Sequence, residues 1–259
     1  MNNLIAFDKE FLSLQKSLKS YLYRLSANKL DTEDLLHDTY IKAKQNISSF
    51  KGNSSIKTWI FAIATNLARD NNRVKNRWEL DAQDKCKNAT VNSVDCQYRI
   101  NLSFNNQATK NFELCEHINY CFTCLSKNLK LEEQIALILK EIFHFTIKEI
   151  SEIINKTQSV VKHLLHNSRE KLQIVYSNRC SLINKSGVCY QCAELNDYLQ
   201  DRKDSFQKIN KLGLSDQNSS KENLNIRLRL IEKINPMEGD GAELEDTIMQ
   251  ILRKEINDF

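Results

Sequence analysis

Between Phe50 and Arg77 the chain reads FKGNSSIKTWIFAIATNLARDNNRVKNR, a stretch compatible with few structures. Ile56, Trp59, Ile60, Ile63 and Leu67 recur at spacings of three and four, the period of one helical face. A Gly/Asn/Ser turn precedes them, so the spacing predicts a helix from about Ile56, with Trp59 in its apolar face. The far end collects Arg69, Arg73, Lys75 and Arg77, interleaved with Asn66, Asn71 and Asn72. One segment therefore joins an apolar anchor, amides that can bond base edges, and cations for phosphate. Taken alone, it also matches a basic amphipathic helix with an ordinary solvated face.

The remaining chain keeps the same period. Five Gly and one Pro in 259 residues leave little for sheets and tight turns, while 41% hydrophobic content supports real cores. The expected fold is all-α, with two small helical domains and an addition. Leu4, Phe11, Leu14, Leu18, Tyr21 and Leu25 form a first helical stripe. Asp31-Thr32-Glu33-Asp34 follows as a capping cluster, its acids suited to a helix N-terminus. The helix it opens is expected to turn Leu35, Leu36, Tyr40 and Ile41 inward, leaving Asp34, His37, Asp38 and Lys42 outside. Charge is uneven: residues 193–259 carry 10 basic and 14 acidic side chains, leaving +8 on residues 1–192 of a chain whose total is +4. A basic body with an acidic tail suits a polyanion as partner of the body. No apolar run approaches the roughly 18–20 residues of a membrane span, and Met1–Glu10 lacks a signal-peptide layout, so a cytoplasmic protein without membrane insertion is expected.

The order of elements adds more. DTEDLLHDTYIKA, followed by FKGNSSIKTWIFAIATN, resembles region 2 of bacterial RNA polymerase sigma factors of the extracytoplasmic-function (ECF) type, over Asp31–Arg73. The resemblance implies that Asp34, Leu35 and Asp38 face the core polymerase. It further implies that Phe50, the Gly52–Ser55 loop with Asn53 and Ser54, and Asn66 hold a base flipped from the −10 element, with Arg69 and Arg73 beside them. Extruding a base costs roughly a few kcal/mol, which a pocket of this kind offsets.

Residues 79–114 lose periodicity and read as a linker rich in Asn, Asp, Ser and Lys. Helical spacing returns with LEEQIALILKEIF, a second helix at Thr146–Ile154, a turn at Asn155–Thr157, and a third helix over Gln158–Leu172, a helix-turn-helix layout. FTIKEISEI and VKHLLHNSREKL resemble sigma region 4, which reads the −35 element. On that likeness Ser159, Lys162, His163, His166 and Arg169 are the candidate DNA contacts, although both histidines also suit an ordinary surface. Leu164 and Asn167 stand where the family commonly has Arg, so the usual −35 sequence is not assumed.

Eight cysteines in a cytoplasmic setting point to metal or redox chemistry rather than structural disulfides. Cys121 and Cys124 precede the helix-turn-helix, and Cys189 and Cys192 follow it, with 64 residues between the pairs. Four thiolates from two such knuckles make a structural zinc site if the fold brings them together, with His117 as an alternate ligand. A redox pair and unrelated thiols remain as other readings; Cys86 and Cys96, in the linker, are read as incidental thiols. In the tail, RLRLIEKI suits a strand or a helix, and Leu244, Ile248, Ile251, Leu252 and Ile256 form an amphipathic stripe expected to fold back on the body. The resulting division is 1–78 (region 2), 79–114 (linker), 115–192 (region 4 with flanking CxxC pairs) and 193–259 (acidic extension).

The resemblance implies a non-enzymatic factor that binds core RNA polymerase and promoter DNA and opens the −10 region, with an anti-sigma factor as a further candidate partner. Two alternatives come from other classes. One is a stand-alone helix-turn-helix regulator, which has no use for a melting module; the other is a thiol or zinc redox protein, discriminated by turnover with a dithiol substrate.

Overall fold

The computed structural model describes residues 2–74, 114–180 and most of 213–254, with five isolated positions between 85 and 98. All regular structure among the described residues is helical. In chain order the helices are α1 (Asn2–Ser26), α2 (Lys29–Asn46), α3 (Ile56–Val74), α4 (Leu114–Ser126), α5 (Leu131–Glu141), α6 (Ile147–Ile154), α7 (Gln158–Arg179) and α8 (Ser220–Ile231), with a 3-10 turn at Ile47–Ser49. The all-α architecture expected from scarce Gly and Pro is what the described residues adopt. None of the described helices is long and apolar enough to cross a membrane.

Two compact units divide the chain: Met1–Asn76 with Lys130–His166, and Arg77–Leu129 with Asn167–Phe259. In the first, α1, α2 and α3 pack on one another, α6 lies along α3, and α5 meets α1 and α3. The connection from α1 to α2 is short. Ala27 takes a positive φ of 54°, and Asn28 caps α2 by accepting from Leu30 N at 2.9 Å and Asp31 N at 3.4 Å. The helix therefore begins at Lys29 rather than at the acidic cluster, because an Asn three residues upstream already supplies the favoured capping oxygen. Ile41, expected inside, is an exposed apolar residue on α2.

Helix α3 starts at Ile56 as the spacing predicts, with Ser55 Oγ accepting from Thr58 N at 3.0 Å. Its deepest positions are Ile60, Phe61, Ala64, Thr65 and Ala68, all fully buried. Ile56, Trp59, Ile63 and Leu67 are half-buried flanks of that face. Phe61 anchors an aromatic cluster, with ring centroids 5.2 Å from Tyr21, 5.5 Å from Phe143 and 4.9 Å from Phe145. The Tyr21 hydroxyl shares a 2.7 Å hydrogen bond with Thr65 Oγ1, and burial pushes its pKa well up despite that bond.

Helix α6 opens with a capping box. Thr146 Oγ1 accepts from Glu149 N at 3.2 Å, and Thr146 N donates to Glu149 Oε2 at 2.8 Å. The Thr146 N–H, together with the Thr146 hydroxyl that donates to the same oxygen at 2.7 Å, holds the Glu149 carboxyl below its ordinary pKa. Asn155 then takes the left-handed conformation, φ 52°, and its N–H returns to Glu152 and Ser151 to end the helix. Ile150, Ile153 and Ile154 of α6 and Val161 and Leu165 of α7 are buried on either side of this turn, in the helix-turn-helix order that the sequence implies.

In the second unit, α4 packs on α8, whose N-terminus carries a Ser219–Glu222 capping box. RLRLIEKI thus belongs to a helix and the turn after it, not to a strand. Of the expected tail stripe, Ile248 is described and half-buried, beside buried Ala242, Met249 and Arg253; Leu244, Ile251, Leu252 and Ile256 lie outside the described residues. The 79–114 linker lies largely outside them too.

Candidate nucleic-acid interface

Three surfaces gather the residues singled out by sequence. On α2, Asp34 and Asp38 are four residues apart and therefore one above the other on an exposed face, with His37 beside them. Leu35 is not on that face. It is 5% exposed and packs inward, because one helical step of about 100° turns it from the acids to the core. Around the corner, Tyr40 Oη and Lys44 Nζ converge on Asp8 of α1, at 3.0 Å and 3.2 Å. Lys44 also donates to Tyr40 Oη at 2.6 Å, and these bonds raise its pKa, Tyr40 foremost. A 510 Å³ groove between α1 and α2 borders this acidic surface, lined by Asp8, Phe11, Leu12, Glu33, His37 and Tyr40 among others.

The second surface runs from the loop before α3 to the helix's far end. Gly52 has φ 72°, a conformation that favours glycine, and open space lies where a side chain would begin. Phe50 is half-buried with its ring 5.2 Å from Trp59, so Trp59 serves as the shelf for Phe50 rather than as deep core. Asn53 is exposed and Ser54 half-exposed in the same loop.

Asn66 is exposed on α3, and its side-chain oxygen accepts from Arg69 Nη1 at 2.9 Å. Arg69 is engaged on every other side as well. Its Nε and Nη2 donate to the two carboxylate oxygens of Glu132 at 2.8 Å each, and Nη2 also donates to the Ile154 carbonyl at 3.0 Å. Arg73 falls in the last turn of α3, where its side chain is outside the description.

The third surface is the outer face of α7. Ser159, Lys162, His163 and His166 are exposed along it, spaced to share a helical side. Leu164 is half-buried between them and the core. Arg169 is half-buried and donates to Asn225 Oδ1 of α8 at 3.2 Å, so in this structure the tail holds it.

The cysteines behave differently. Cys121 and Cys124 lie one turn apart on α4, both buried, and Cys180 is buried just past the end of α7. All three act electrostatically on Tyr176, whose hydroxyl is raised well above its usual pKa, by burial first and then by Cys121, against the opposing Arg227. Arg227 is buried, donates to Cys180 Sγ at 3.0 Å and lies 4.4 Å over the Tyr176 ring. The Tyr176 hydroxyl has no hydrogen-bond partner among the described residues. Cys180, Tyr176 and Arg227 were not singled out by sequence, since only their convergence makes them notable. Cys86, Cys96, Cys189 and Cys192 lie outside the described residues, as does the side chain of His117. Among the described residues no three His, Cys, Asp or Glu side chains are grouped to hold a metal ion.

Comparison with known proteins gives this geometry a frame. The family description Sigma-70 region 2 fits residues 11–78, and Sigma-70, region 4 fits residues 121–172. RNA polymerase sigma factor YlaC of Bacillus subtilis (strain 168) is 27% identical over 158 residues, covering 61% of this chain and 84% of that protein. ECF RNA polymerase sigma factor SigW of the same organism is 32% identical over 155 residues, covering 58% of this chain and 78% of that protein. The co-crystal structure of the sigma factor RpoE in complex with the anti-sigma factor NepR from Bartonella quintana aligns at 19% identity and a TM-score of 0.44, covering 66% of this chain and 97% of that one.

Proposed function

The chain belongs to the ECF RNA polymerase sigma factors, and from that membership we propose how its surfaces divide the work. It binds core RNA polymerase, recognises −35 and −10 promoter elements and promotes DNA melting. One observation carries this reading: a region 2 module and a region 4 helix-turn-helix occur in one chain, the latter with Ser159, Lys162, His163 and His166 exposed along one side of α7. A stand-alone operator-binding regulator is not favoured, because it would need only the second module. The decisive experiment is run-off transcription from genomic fragments with purified core polymerase. Promoter-specific transcripts are expected, and initiation no better than with core alone would refute the function.

Within this reading, Asp34 and Asp38 form the polymerase-facing surface, with Leu35 supporting it from beneath. Phe50, Asn53, Ser54 and Asn66 form the −10 pocket, with Arg69 and Arg73 on the backbone. The factor works in the cytoplasm without catalysis of its own, and an anti-sigma protein is a further partner that fits the assignment. Asn66→Ala is expected to lose about 1–3 kcal/mol of discrimination at one −10 position while leaving closed-complex binding nearly unchanged. Permanganate footprinting on cognate and single-base-altered promoters measures this. Equal opening by the variant and the wild type on both would remove Asn66 from the pocket.

For the cysteines we retain zinc, held by Cys121, Cys124, Cys189 and Cys192 with His117 as alternate, as a proposal. Cys121 and Cys124 share one side of α4, as a CxxC half-site requires. Mass spectrometry of protein purified without a metal-binding tag is expected to find one zinc per chain, reduced when either pair is changed to Ser. A zinc-free wild type under reducing conditions would leave the thiol redox reading in its place.

A further inference from the structure

We propose that Glu132, with the C-terminal carbonyl of α6, occupies the phosphate-binding fork of Arg69 in cis, so that the chain keeps its own −10 surface latched until nucleic acid displaces the latch. This rests on the reading of α3 as the promoter-opening helix. A guanidinium paired through Nε and Nη2 to a carboxylate has the geometry in which it would hold a phosphate, two parallel N–H···O bonds from one rigid fork. Glu132 and a DNA phosphate therefore compete for the same donors. The Ile154 carbonyl adds to the mimicry. It lies at the end of α6, where unpaired carbonyls form the negative pole of the helix, and the left-handed Asn155 directs its own N–H back to Ser151 and Glu152. The third arm of Arg69 holds Asn66 Oδ1, using an acceptor that the proposed pocket would turn to a base.

An isolated ion pair on a protein surface would carry little, since solvent screens it and two long side chains must be ordered to form it. This one is bidentate, has a third bond to a carbonyl, and is backed by apolar packing. The segment between α5 and α6 sets Phe143 and Phe145 against Phe61, with Phe143 edge-on to Tyr21 at 5.7 Å and Lys57 4.6 Å above Phe145. Gln134, two residues beyond Glu132, donates to the Arg24 carbonyl at 2.9 Å. The latch residues 132–154 all fall in the region 4 match, and Arg69 falls in the region 2 match. Whatever frees Arg69 must therefore loosen the hold of α5 and α6 on α1 and α3. By linkage, whatever opens that contact raises the affinity of Arg69 for phosphate to the same degree.

The test uses the full chain and a fluorescein-labelled 20-nucleotide mixed-sequence single strand, titrated by anisotropy across a salt series. Glu132→Gln keeps the side chain's shape but removes the charge that competes with phosphate. Glu10→Gln, on an exposed site of α1, makes the same change in net charge and serves as the control. The latch predicts at least threefold tighter binding for Glu132→Gln than for the control. It also predicts a log–log salt slope steeper by about 0.7, the signature of one added phosphate contact on a single strand. Hydrogen exchange in 143–154 should quicken in the same variant. A Glu132→Gln that matches the control in affinity and slope, with unchanged exchange, overturns the proposal. The swap Arg69→Glu with Glu132→Arg should restore slow exchange without restoring the slope; fast exchange in the swap also counts against it. Run-off transcription by the wild type is scored separately, so failure of the sigma function and failure of the latch give different patterns.

Discussion

Changing Asp34 and Asp38 together to Lys is expected to abolish association with core polymerase while leaving the fold intact. Both carboxylates are exposed and stacked on one face of α2, so the double change replaces two aligned negative charges by two positive ones. Like charges brought together in an interface cost several kcal/mol, and every 1.4 kcal/mol is a factor of about ten in affinity, so a loss of roughly two decades or more follows. Stability should move by less than about 0.5 kcal/mol, because neither residue caps the helix and Lys is a good helix former. Co-purification of the double variant with core at wild-type yield would sink the assignment of this face. Melting followed by circular dichroism controls for folding. Leu35 makes a useful contrast: buried under the same face, its truncation should lower stability before it touches affinity.

What the sequence discloses, and what it withholds, follows from the range of the interactions involved. The start of α3 at Ile56, the break at Asn155 and the exposed row Ser159, Lys162, His163 and His166 depend on residues within a few positions of one another, and local patterns record them. The burial of α3 does not work that way. Apolar residues extend more than halfway round this helix, and periodicity alone selects Ile56, Trp59, Ile63 and Leu67 as readily as Phe61, Ala64 and Ala68. The choice is made by partners: α1, α2 and α6 all pack on α3, and Ala64 and Ala68 are among the residues buried there. The start of α2 is ambiguous in sequence for a local reason, since DTED and Asn28 both offer capping oxygens and only geometry separates them. Arg69 and Glu132 are 63 residues apart, and nothing in either neighbourhood announces the pair. The cluster of Cys121, Cys124 and Cys180 around Tyr176 and Arg227 is likewise a product of tertiary packing.

Phe61→Ala is the substitution with the largest expected cost to the fold. The ring is fully buried and touches Tyr21, Phe143 and Phe145, so truncation removes a side chain shared by α1, α3 and the segment between α5 and α6. Removing a buried Phe side chain typically costs about 3–5 kcal/mol, the lost transfer energy plus the cavity left behind. That is a large share of the roughly 5–15 kcal/mol that holds a domain folded. Relaxation is restricted here, because Thr65 ties Tyr21 through its hydroxyl and also bonds back to the Phe61 carbonyl at 2.7 Å. The neighbouring ring therefore cannot swing freely into the space. Urea unfolding at matched protein concentration, with the m value checked for constancy, measures the loss. A change below about 1 kcal/mol would mean that the aromatic cluster does not hold α3 as described. Ile56→Ala, on the half-buried flank of the same helix, should cost clearly less. The ranking of these two substitutions decides which side of α3 faces the core. It matters beyond stability, because the face that Phe61 fixes inward is what leaves Asn66 on the surface and delivers Arg69 to Glu132.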